Sequence, residues 1–204
     1  MRRHISIFII LWAVIACSGQ DASVSENTVP TREITDSTGS TLEQRIKLHA
    51  SQKNDSSYVG RPMPRLKALN ENGDTIDQNA LSRVVFYNFW FTGCAPCIAE
   101  TPYFNVLAAE YEGRVDFIAI TFEELQNLPE FFEKHPFNFT HYTMGRSEIN
   151  KLDLAQGYPT TIVAVEGEII SWKAGGTTPS HPSFKEEMEK QNDRYRELFK
   201  KNLK

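Results

Sequence analysis

An α/β fold, with a central mixed β-sheet and helices on both faces, is predicted by three features of this 204-residue chain. Two apolar runs of strand length, VVFYNFW (84–90) and RVDFIAIT (114–121), are fit to be buried on both faces. Strands then alternate with helical stretches as far as residue 155, the pattern of a sheet with crossover helices. Finally, TTIVAVEGEIISWKAG (160–175) reads as two strands joined at Glu166-Gly167, with one more helix after it.

The folded part is expected to begin near Tyr58. GRPMPRLKALNENGDTI (60–76) carries prolines at 62 and 64, a short strand and a turn at Asn72-Gly73, which predicts an N-terminal β-hairpin extension. After the 84–90 strand, a helix should open around Cys94 to Pro96 and run to about Tyr111. Beyond the 114–121 strand, EELQNLPEFFEKH (123–135) predicts a helix with Pro129 near its start or kinking it. FNFTHY (137–142) reads as a short strand and RSEINKLDLA (146–155) as a helix. The last helix begins after Pro182. Phe184, Met188, Tyr195, Leu198 and Phe199 share one of its faces, and charges cover the rest. The predicted order is hairpin, β, α, β, α, β, α, β, β, α.

Ahead of this domain the composition differs. Arg2 and Arg3 precede ISIFIILWAVIA (5–16), too short to span a bilayer and suited to the core of a signal peptide. Residues 18–57 are rich in Ser, Thr, Asp, Asn and Gln and read as a tether; one short helix is offered by STLEQRIKLHA (40–50), with Ser40 and Glu43 in capping-box spacing. The expected division is a signal peptide at 1–16, a tether at 17–57 and a folded domain at 58–204. The net charge of −4 leaves no basic footprint for nucleic acid.

The chemistry centres on GCAPCIAETP (93–102). A structural zinc site needs four ligands, and no second Cys-x-x-Cys exists here; His135, His141 and His181 are scattered. The redox reading fits better. Cys94 and Cys97 directly follow a buried strand and open a helix, where unpaired N–H groups and the helix dipole stabilise a thiolate. The three-residue spacing lets the sulfurs meet across one turn. Cys94, at the tip, is expected to be the exposed nucleophile, and Cys97, one turn in, the buried resolving thiol. Pro96 is tolerated in the first turn, and Pro102 removes a hydrogen bond inside the helix.

YNFWFTGCAPC (87–97), the ENGDTI turn (71–76) and GYPTT (157–161) together resemble the thioredoxin superfamily, and within it the membrane-tethered TlpA/ResA-like branch. The resemblance covers about residues 58–199 and implies a thioredoxin-like fold and thiol–disulfide oxidoreductase activity, leaning towards reduction, with no cofactor beyond the Cys94–Cys97 dithiol or disulfide. It implies a cis bond before Pro159, facing the disulfide, with Tyr158, Pro159 and Trp90 lining the substrate site. Where thioredoxins proper hold a buried aspartate this chain has Asn88, which cannot accept a proton. Glu100, six residues after Cys94, matches a glutamate of some TlpA/ResA-like proteins and is the candidate acid/base; the alternative is a solvated helix residue. Gly93 departs from the tryptophan many relatives carry. VIACSG (14–19) resembles a bacterial lipobox, with Val14 in place of the usual leucine, which implies lipidation at Cys17. The implied setting is the bacterial cell envelope, periplasm-facing and lipid-anchored, with envelope protein thiols and disulfides as substrates and a membrane thiol reductant for recycling.

Three rivals stand beside this reading. A peroxiredoxin-like peroxidase wants a threonine three residues before its cysteine, whereas Thr92 is two before Cys94 and no proline occupies 88–91. A non-catalytic binding module would use the disulfide as a staple. An isomerase usually requires dimerisation.

Overall fold

The computed structural model describes residues 57–204. The expected signal peptide, Cys17 and the tether as far as residue 56 lie outside them. The sheet has five strands: β1 (Val84–Phe89), β2 (Val115–Thr121), β3 (Thr140–Thr143), β4 (Thr160–Val165) and β5 (Glu168–Ala174). Their order across the sheet is β3-β2-β1-β4-β5. β1 is parallel to β2 and β2 to β3, while β4 runs antiparallel to β1 and β5 antiparallel to β4. The first strands are therefore joined by crossovers and the last two by a tight turn, in which Glu166 and Gly167 both take positive φ.

All six residues of β1 are buried, and their alternation feeds two separate cores. Val84 and Phe86 point to one face, where α1 (Ala95–Glu110) and α4 (Phe184–Asn202) pack. Val85, Tyr87 and Phe89 point to the other, with Ile149 from α3 (Arg146–Lys151) and the segment 58–76. Phe86 is the hub of the first core, in ring contact with Phe104, Phe117, Phe139, Tyr195 and Phe199. On α4 the apolar face is as expected: Met188, Tyr195 and Phe199 are buried, with Phe184 and Leu198 packed at the margin.

Two elements differ from their sequence expectation. The 123–135 stretch is not one helix: a 3-10 turn at Leu125–Asn127 precedes α2 (Pro129–Lys134), with Pro129 in its first turn. Proline lacks the N–H that a continuous helix needs there, and its fixed φ starts a new one. The N-terminal hairpin has its turn, where the Asn70 side chain accepts from the backbone N–H of Asn72 and Asp74. Its ladder is reduced to the bridge between Leu69 and Thr75, and Leu69 pairs on its other side with Thr143 of β3. At the far side of the sheet Gly60 N–H donates to Ile169, Ile169 N–H to Arg61 and Met63 N–H to Gly167. The segment 60–69 thus touches both outer strands. Among the described residues, no helix is long and apolar enough to cross a membrane.

Candidate active site

β1 ends at Phe89, and the chain turns through residues 90–93 into α1. Thr92 is pinned there: its N–H and hydroxyl donate to the two carboxylate oxygens of Glu123, at 2.7 and 2.6 Å. Cys94 is the N-cap of α1, and the Cys97 N–H donates to its sulfur at 3.3 Å. An N-terminal helix N–H thus points at the atom on which a thiolate would develop. Cys94 and Cys97 form a disulfide with Cα atoms 5.3 Å apart.

The structure corrects two expectations. Cys94 is only 4% exposed in the disulfide form, because the bond to Cys97 ties its side chain down over the first turn. The exposed positions are its neighbours Gly93 and Ala95. Trp90, expected to line the substrate site, is 1% exposed. Its ring packs among Phe131, Phe132, Phe137 and His141, so it supports the site from within the core.

Glu100 is buried to 1% exposure, which rules out a solvated helix residue. It falls in the stripe of α1 that faces the sheet, with Cys97 three residues before it and Phe104 four after. Neither carboxyl oxygen makes a hydrogen bond of ordinary geometry. The Lys173 ammonium stands 3.7 Å away, and the backbone N–H of Thr177 approaches at looser geometry. Burial pushes the carboxyl up to about 7, against the lowering pull of Lys173 and Thr177. A carboxyl so placed exchanges its proton near neutrality, which suits general acid–base work beside Cys97.

The Tyr158–Pro159 bond is cis, as the resemblance implied. Pro159 is buried and Tyr158 half-buried; the Tyr158 ring packs edge-on against Phe91 and Phe122. Gly176 lies in the connection from β5 to α4. A Cβ built there would lie 2.8 Å from both Glu100 Oε1 and Pro96 Cβ, and 3.1 Å from Pro159 Cδ. Only a residue without a side chain lets the chain after β5 pass between α1 and Pro159. The Gly175 N–H, donating to the Pro159 carbonyl at 2.7 Å, ties the same turn down.

Asn88, 2% exposed, donates from Nδ2 to Thr161 Oγ1 at 3.1 Å. It sits in the buried sheet face beneath α1, where the sequence put it.

Sequence reasoning missed Lys173, Gly176 and Glu123. Gly176 offered a signal in the Gly-Gly pair after a strand. Lys173 offered a weaker one, a lysine between Trp172 and Ala174 in an otherwise buried strand end.

The comparisons agree with this geometry. The Redoxin family matches residues 58–190. Thiol-disulfide oxidoreductase ResA of Halalkalibacterium halodurans is 33% identical over 112 residues, which are 52% of this chain and 62% of that protein. ResA of Oceanobacillus iheyensis is 30% identical over 139 residues, 63% of this chain and 72% of that protein. This chain therefore spans less than two thirds of the Halalkalibacterium relative. A crystal structure from Chlorobium tepidum, named for a thiol:disulfide interchange protein DsbE, superposes with a TM-score of 0.55 at 22% identity, covering 65% of this chain and 94% of that one. That likeness carries the thioredoxin-like fold.

Proposed function

Because the chain belongs to the Redoxin family, as a TlpA/ResA-like member of the thioredoxin superfamily, we propose that it is a thiol–disulfide oxidoreductase that reduces protein disulfides in the bacterial cell envelope. The observation that carries this reading is the disulfide at the tip of α1, with a helix N–H on Cys94 Sγ and the buried Glu100 one turn beyond Cys97.

In the reducing direction the Cys94 thiolate attacks one sulfur of a substrate disulfide, and the other substrate sulfur leaves as a thiolate that takes up a proton. Glu100 then accepts the Cys97 proton. The Cys97 sulfur forms a bond with Cys94 Sγ, the bond from Cys94 to the substrate breaks, and the second substrate sulfur leaves with that electron pair and is protonated. The substrate gains two electrons and the Cys94–Cys97 pair loses two. The backbone before cis-Pro159 receives an extended substrate segment, with Tyr158 beside it. No cofactor beyond the dithiol takes part, and a membrane thiol reductant returns the pair to its reduced form. Cleavage after residue 16 and lipidation of Cys17 would hold the domain at a membrane through the 17–57 tether, facing the periplasm.

The reduction potential of the Cys94–Cys97 pair tests the direction. A value near or below about −250 mV is expected of a reductase, whereas a value near about −120 mV belongs to an oxidant and reverses the assignment. Cys97→Ser should accumulate a mixed disulfide between Cys94 and its substrates. Cys17→Ser should release the protein from membranes; unchanged membrane association removes the lipid anchor from the proposal.

A further inference from the structure

Lys173 is a buried lysine in a strand, and the register explains why it lies where it does. Asn88 of β1 pairs with Thr161 of β4, and Thr161 pairs with Lys173 of β5. Three polar side chains thus form one row across the sheet, on the face that α1 covers, and Glu100 lies over its end. The Lys173 side chain is 7% exposed and that of Glu100 1%. The ammonium donates to the Gln191 amide oxygen from α4. An uncompensated charge in such a place is expensive, and each member of this pair is the other's counter-charge.

We propose that Lys173 is a positioning residue for the thiol chemistry, acting through Glu100: its ammonium, fixed by Gln191, supplies the counter-charge that lets the carboxylate form where water is excluded. The inference rests on the reading of Glu100 as the acid/base for Cys97. The proton that Glu100 takes from Cys97 leaves a carboxylic acid beside the ammonium; when that acid gives its proton up again, the ion pair is restored. Without Lys173 the carboxylate would keep, among the described residues, the Thr177 backbone N–H and the Tyr195 hydroxyl but no counter-charge beside it, and the acid would persist to higher pH. The other charges facing Lys173 come from α4, where Arg194 opposes its charge and Glu187 favours it. Burial lowers the Lys173 pKa and Glu100 raises it back, consistent with mutual dependence.

The test separates the two attacks. The reduced full-length chain carrying Cys17→Ser, so that Cys94 and Cys97 are its two thiols, is mixed with dithiobis(nitrobenzoate). The first nitrothiobenzoate is released as Cys94 attacks, the second as Cys97 resolves the mixed disulfide. The rate of the second phase is followed against pH. The wild type should show an inflection near neutrality. Lys173→Met, and Lys173→Gln should the first variant not fold, should move the inflection up by about one unit or more and slow the second phase about tenfold at neutral pH. Lys173→Arg, which keeps the charge, should stay close to the wild type. In a Glu100→Gln background the inflection should be absent and Lys173→Met should add nothing. An inflection that Glu100→Gln removes but Lys173→Met and Lys173→Gln leave in place overturns the role of Lys173 alone. An inflection that survives Glu100→Gln overturns the reading of Glu100, and the inference with it.

Discussion

Gly176 leaves so little room beside Glu100 that a single added carbon would stand 2.8 Å from the carboxyl oxygen. The neighbours on the other sides are Pro96 and Pro159, both ring-bound, so the site cannot easily give way. Gly176→Ala should therefore displace the carboxyl or the proline. Overpacking of this kind costs about 1–3 kcal/mol. A displacement of about 1 Å at reacting groups can slow a reaction about a hundredfold. Single-turnover exchange and denaturant unfolding of the same variant measure both effects; wild-type exchange in Gly176→Ala would show that the turn moves freely.

The pH dependence of stability follows from Glu100, whose carboxyl titrates near 7 in the fold against an ordinary value of 4.5. Between these values the folded protein holds a proton that the unfolded chain has released. Stability from this group is thus greatest below the lower value, falls as pH rises through the window, and is flat above it. The loss is of order 3 kcal/mol. Glu100→Gln lacks this slope. Unfolding of oxidised wild type and variant at about pH 5 and pH 8 should show the wild type losing ground to the variant; a gain would contradict the burial of an ionisable Glu100.

Thr92 and Glu123 hold the loop that delivers Cys94. The Glu123 carboxylate accepts hydrogen bonds from both the backbone N–H and the hydroxyl of Thr92, and the Glu123 N–H in turn donates to Thr121 Oγ1. Glu123→Ala leaves those donors without their acceptor. Half-buried, they regain some water, so the expected cost is about 1–2 kcal/mol. The first phase of exchange, which reports Cys94 attack, should slow more than the second. Equal slowing of both would mean that the loop does not position Cys94.

Phe86→Ala probes the core beneath the site. The ring touches five other aromatic rings, from β2, the segment just before β3 and both long helices, and the surrounding side chains cannot all collapse into its space. A loss of about 3–5 kcal/mol in denaturant unfolding is expected. A loss below about 1 kcal/mol would mean that the core refills easily.

What could be read from the residues divides along physical lines. β1 and the start of α1 were legible because their signals are local: an unbroken apolar run, then two cysteines and a proline at a helix tip. Glu100 was half legible. The resemblance to some TlpA/ResA-like proteins singled it out, six residues after Cys94, but whether it met water depended on β5 and the turn after it. Lys173 was barely legible: a lysine between Trp172 and Ala174 hinted at burial but not at membership of the site. Its partnership with Glu100 depends on a β4–β5 register and on an approach of α1 that no short window contains. Trp90 was misplaced for a related reason: a tryptophan next to the motif reads as a contact for substrate, yet the phenylalanines of 131–137 enclose it. The long helix across 123–135 was a matter of weighing periodicity against Pro129, and proline won.

The segment that binds Gly60 to Met63 along β5 and Leu69 along β3 has a consequence for solubility. An open sheet ends in two rows of unpaired backbone groups, each a template on which another chain can build. Here one stretch of ten residues occupies part of both rows. Its removal would do more than shorten the domain: it would uncover both borders of the sheet at once and invite copies of the protein to join edge to edge.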